Sequence, residues 1–118
     1  MFPEFTENTE FPEITVSCTG AQCHAETTAP LVAGLDTPVH ISLNPAFDCL
    51  PERYLLVKCG EDVSNFDISE KLDFTIPGYV LIGRSRCKIG VFAQSADGKR
   101  SIPTVWANCG YVYSSAAH

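Results

Sequence analysis

Lysine and arginine are absent from the first 52 residues, which nevertheless hold eight carboxylates: Glu4, Glu7, Glu10, Glu13, Glu26, Asp36, Asp48 and Glu52. Residues 53–118 carry all eight basic side chains against six acids, and the whole chain has a net charge of −6. That balance argues against a nucleic-acid partner, which needs a broad basic face. No apolar run approaches the ~20 residues of a membrane span. No stretch keeps the i, i+3, i+4 spacing of an amphipathic helix between capping residues, so almost no helix is expected. Also missing are GxSxG, HExxH and a phosphate-cradling glycine loop. There is no CxxC and no N-x-S/T sequon. The start, Met1 to Glu10, lacks the basic and apolar regions of a secretory leader.

What is abundant is cysteine. Six occur in 118 residues, at Cys18, Cys23, Cys49, Cys59, Cys87 and Cys109. An even count spread along a short chain reads as a disulfide framework formed in an oxidising compartment. A secreted or extracellular location is expected on that ground, the chain being a mature portion with an added Met1. The competing reading is a reduced protein with six core thiols. Fifteen pairings are possible. A hairpin about Asp97-Gly98 puts Cys87 opposite Cys109, Cys59 is a rival partner for Cys87, and Cys18 and Cys23 are close enough to pair. The choice stays open.

The patterning is β throughout. Ile14, Val16 and Cys18 alternate with Thr15 and Ser17, and Val39, Ile41 and Leu43 alternate with His40 and Ser42, as half-buried strands do. Tyr54-Leu55-Leu56-Val57 is a continuous apolar run, expected of a central strand buried on both faces. Leu72, Phe74 and Ile76 alternate up to the turn dipeptide Pro77-Gly78, and Tyr79 to Ile82 form a further short apolar run. Cys87, Ile89, Val91 and Ala93 share one face, followed by a turn at Ala96-Asp97-Gly98-Lys99 and a return strand from Ile102. Pro103 cannot donate to a ladder, which places an edge or a bulge there. About seven such strands imply an all-β antiparallel sandwich. The expected organisation is an extended acidic arm over residues 1–12, one sandwich over 13–113 and a tail over 114–118. The arm contains Phe2-Pro3-Glu4-Phe5-Thr6, which returns in part as Phe11-Pro12-Glu13-Ile14-Thr15.

Residues 54–103 resemble a fibronectin type III or immunoglobulin-like domain. Tyr54 to Val57 correspond to strand C, Leu72 to Gly78 to strand E and its turn, and Cys87 to Gly98 to strand F and the FG turn. Ser101-Ile102-Pro103 opens strand G. The resemblance implies a β-sandwich recognition domain; the disulfide stabilisation is expected from the six cysteines, and no enzyme is expected from the missing catalytic motifs.

Candidate chemistry is sparse. Cys18-x4-Cys23-His24 lacks the second short-spaced pair of a structural zinc site, and Glu61, Asp62 and Asp67 are most simply loop acids. No catalytic residue, metal or cofactor is therefore assigned. His40 on an outer strand face reads as solvated. The basic residues Arg84, Arg86, Lys88, Lys99 and Arg100 flank the Cys87–Gln94 strand and are the expected contacts to a protein partner, through loops or a sheet edge. Trp106, Tyr111, Tyr113, Tyr79 and Phe66 are the aromatic candidates for an interface. Two other functions are compatible with the same residues. One is a secreted carrier of an apolar ligand, similar to the six-cysteine lipid-recognition domains of lysosomal sterol carriers. The other is a structural subunit that assembles through its N-terminal arm.

Overall fold

The computed structural model describes residues 11–114, so most of the arm, with the first copy of its repeat, lies outside the described residues. The chain builds an all-β fold of two packed sheets. Its strands are β1 (Ile14–Thr19), β2 (Gln22–Thr27), β3 (Leu31–Val32), β4 (Thr37–Leu43), β5 (Glu52–Cys59), β6 (Asp62–Asp67), β7 (Asp73–Ile76), β8 (Ser85–Gln94), β9 (Ser101–Pro103) and β10 (Ala107–Tyr113). Short 3-10 turns at Pro45–Phe47 and Gly78–Val80 are the helical content of the described residues. One sheet has the order β2-β1-β4-β7, and the other β3-β10-β8-β5-β6 with β9 beside β8.

Both sheets are mixed where an antiparallel arrangement was expected. After the β1–β2 hairpin the chain crosses to the second sheet as β3, parallel to β10, and returns as β4, parallel to β1. Beyond the strands expected, the chain adds β2, the short β3 and β6, and its last strand is split into β9 and β10. Two hairpins use the same device: a two-residue loop whose first residue is glycine at positive φ, Gly20 at 61° and Gly60 at 62°. Such loops follow the right-handed twist of the strands they join.

The alternating strands turn inward the residues their patterns assign, with Leu43, Leu72 and Phe74 only partly buried at the margin of the core. Ile14, Val16 and Val39 face Leu55, Val57, Ile89 and Val91 across the sandwich, all with no exposed surface, and Phe47 closes one end. Each fully buried apolar side chain of this size contributes about 1.5–3 kcal/mol. Arg53, near the start of β5, is structural: its guanidinium donates to the carbonyls of Leu50 (2.9 Å) and Phe47 (3.0 Å).

Three local expectations need correction. Tyr54–Val57 is a central strand, but only Leu55 and Val57 point inward; Tyr54 and Leu56 are half-buried on the outer face, where no second layer covers them. Tyr79–Ile82 is not a strand, because Gly78 is held in a turn by its N–H bond to Asp36 Oδ1 (2.7 Å). The strand after the Asp97-Gly98 turn is broken between Pro103 and Ala107. There Thr104 takes over the ladder's role, its Oγ1 accepting the Val91 N–H at 2.8 Å.

Candidate functional site

The outer face of the larger sheet is built by strand parity alone. Because Val57, Cys59, Cys87 and Ile89 are buried, the alternate residues Lys58, Arg86 and Lys88 must project to solvent. Register then sets their neighbours. Lys58 lies directly opposite Lys88, Lys88 opposite Asn108, Arg86 opposite Tyr111, and Val63 opposite Lys58. Directly opposed like charges are unfavourable within a sheet. Among the described residues the ion pairs are those of His24 and His40, so none of the described carboxylates stands at pairing distance from Lys58, Arg86 or Lys88.

Beside this cationic row lies an apolar one. Gly90 is next along β8 on the same face, and its missing side chain leaves room for Trp106, whose Cε3 lies 3.5 Å from where a Cβ would stand. Trp106 keeps 41% of its surface exposed, and Val63 (53%), Tyr111 (39%) and Tyr113 (52%) are also open. Tyr54 and Phe92 extend the row, with ring centroids 6.4 Å apart. The break at Thr104 is what brings Trp106 over Gly90.

The five expected partner contacts separate into two groups. Arg86 and Lys88 stand on this face, with Arg84 in the turn at the same end. Lys99 and Arg100 lie in the β8–β9 hairpin at the other end of a ten-residue strand, ~30 Å away at 3.4 Å per residue. That hairpin is organised by its own atoms: Ser95 and the Lys99 N–H hydrogen-bond Asp97 and hold its carboxyl below the usual range. Arg84 is the single non-glycine at positive φ among the described residues (65°), its N–H bonded to the Val112 carbonyl at 2.8 Å. Lys58 was missed. Its signal was the basic residue that ends the Tyr54–Val57 run two positions after Leu56, on the outward parity.

The opposite sheet presents a polar outer face. His40 on β4 has Nδ1 3.0 Å from Asp73 Oδ1 and Nε2 3.1 Å from Glu13 Oε1. The two carboxylates raise its pKa above the ordinary histidine value, Asp73 most. Both ring nitrogens are thus engaged by carboxylates, which makes His40 a cross-strand tie.

The cysteines fall into three places. Cys18 and Cys23, directly opposed on β1 and β2, form a disulfide with Cα atoms 4.3 Å apart. Cys49 is exposed near Arg100, at the opposite end of β5 and β8 from Cys59 and Cys87. Cys59, Cys87 and Cys109 are buried thiols on adjacent strands β5, β8 and β10. Glu61 and Asp62 lie at one end of β6 and Asp67 at the other, so they do not converge; the Ser69 backbone N–H holds Asp67 below the usual carboxylate range. Among the described residues no group of three or more His, Cys, Asp or Glu has a metal-holding arrangement. Comparison with protein-family models, with curated proteins and with solved structures finds no match for this chain.

Proposed function

We propose that this chain is an extracellular protein-recognition module that uses the outer face of its larger sheet. The partner it fits is a protein segment presenting carboxylates beside an apolar side chain. The observation that carries the reading is the direct Lys58–Lys88 opposition with Arg86, unpaired with any carboxylate among the described residues and bordered by exposed Trp106 and Tyr111. Arg86 and Lys88 are two residues apart on one strand, so their positions repeat at ~7 Å. That is also the spacing of alternate carboxylates on an extended chain. Arginine, tyrosine and tryptophan are the side chains that most often anchor interfaces. The proposed recognition surface is a sheet face, where the sequence alone led to loops or an edge strand.

The Cys18–Cys23 bridge supports an oxidising compartment. The adjacency of β4 with β7, and of β10, β8, β5 and β6 in that order, supports an immunoglobulin-like or fibronectin type III-like sandwich. The parallel β1–β4 pair is a departure from that pattern. A carrier function would need space between the sheets, which the buried residues of both inner faces fill. Assembly through the N-terminal arm falls on residues outside the described ones.

Selection from a random displayed-peptide library tests the proposal. Binders should be rich in Asp and Glu with an apolar residue among them, and should be lost on Lys88→Glu and on Trp106→Ala. Neutral or basic binders, or acidic ones indifferent to both substitutions, would overturn it.

A further inference from the structure

Three buried sulfurs lie in a row on the inner face of the larger sheet, and only two of them can join. Cys59 is directly opposite Cys87 in an unbroken antiparallel ladder. The next pair, Gly60 and Arg86, is hydrogen-bonded, the Gly60 N–H donating to the Arg86 carbonyl at 3.3 Å. Pair types alternate along such a ladder, so Cys59 and Cys87 form a non-hydrogen-bonded pair, in which Cα atoms come to about 4.5 Å and side chains to closest approach. That falls within the range a disulfide spans. The same molecule already bridges one directly opposed antiparallel pair, Cys18 with Cys23.

Cys109 is placed differently. The β8–β10 register shifts between Asn108 and Gly110, so Gly110 opposes Cys87 and Cys109 is the extra residue of a bulge. Cys49 lies beside Arg100, beyond the far end of β8, and is out of reach of all three.

We propose that Cys59 and Cys87 form a second disulfide, leaving Cys109 as a buried thiol and Cys49 as an exposed one. The bridge ties together the two strands whose outward neighbours are the mutually repelling Lys58 and Lys88, and so holds that row in register. The oxidant is a small-molecule disulfide such as oxidised glutathione. One cysteine thiolate attacks a sulfur of the oxidant, breaking its S–S bond and releasing one thiol. The second cysteine then attacks the mixed disulfide and releases the other. Two electrons and the two thiol protons leave on two glutathione molecules. The step belongs to folding. Once buried, Cys87 is pushed up to about 12 by the Cys109 thiol beside it and by burial, while Cys87 and burial raise Cys59, so the folded thiols are poor nucleophiles.

The chain, reduced and unfolded, is refolded in a glutathione redox buffer, alkylated under denaturing conditions and digested with trypsin. Cleavage after Lys58, Lys71, Arg86 and Lys88 separates Cys59 and Cys87 from each other and from Cys109. The expected product is the Cys59–Lys71 peptide joined to the dipeptide Cys87-Lys88, with Cys49 and Cys109 alkylated. The same link should persist in Cys109→Ala. A Cys87–Cys109 link, or alkylated Cys59 and Cys87 in protein whose circular dichroism reports a folded β-domain, would overturn the assignment.

Discussion

Replacing Lys88 by glutamate should make the free protein more stable while it destroys the proposed recognition. Lys58 and Lys88 oppose one another directly, and both point to solvent. Their Cβ atoms are about 5 Å apart, and the flexible ammonium groups can separate to about 7 Å. At that distance two unit charges in water repel by about 0.6 kcal/mol, which a Debye length of ~8 Å reduces to about 0.25 kcal/mol at physiological salt. Reversing one charge replaces that repulsion by a similar attraction. The gain is about 0.5 kcal/mol at 0.15 M salt and about 1 kcal/mol at low ionic strength. For a domain of this size that is a rise in Tm of roughly 2 and 4 °C respectively. Thermal melts of wild type and Lys88→Glu in low and high salt read the effect. Lys88→Gln should give about half of it. A Tm that falls, or a rise that persists unchanged in 0.5 M salt, would refute the idea that uncompensated charge on this face opposes folding.

Two further outcomes follow from particular contacts. His40 has its pKa raised by Asp73 and Glu13, so its contribution to stability is complete below the unfolded value of ~6.5. It is lost as pH rises through the folded value. All three side chains are largely exposed, so the effect is a few tenths of a kcal/mol. Melts of His40→Gln should differ from wild type at pH 5.5 and converge above pH 8, and an unchanged difference across that range would count against the tie. Gly78→Ala should cost about 2–4 kcal/mol, because a Cβ there would overlap the Gly34 backbone. Denaturant unfolding should show a lower midpoint with an unchanged slope, and an unshifted midpoint would show that the two turns can move apart.

The inward half of the fold was legible in the sequence because burial leaves a period-two record. Ile14, Val16 and Cys18, and Cys87 to Ala93, carry it plainly. The sheet order was not legible, since pairing β1 with β4 in parallel depends on where the chain goes between them and leaves no mark on either strand. The apolar run at Tyr54–Val57 was read as double burial. Apolar residues on both faces of a strand say that both are covered or that one is an open apolar surface, and alternation cannot separate the two. The basic residues were identified by number, but grouping them by sequence proximity joined Arg86 and Lys88 with Lys99 and Arg100. Folding instead brings Lys58 beside Lys88 from thirty positions away, a juxtaposition that only register supplies.

Trp106 is the single tryptophan of the chain, and it lies over Gly90 in the middle of the proposed face, so its emission reports directly on occupancy there. The decisive measurement is that emission during titration with a short extended peptide carrying alternate glutamates and one leucine, at low salt. A saturable shift to shorter wavelength is predicted, weakened in 0.5 M salt and absent in Lys88→Glu. An emission spectrum that does not respond, or responds equally in Lys88→Glu, would contradict the assignment of this face to an acidic partner.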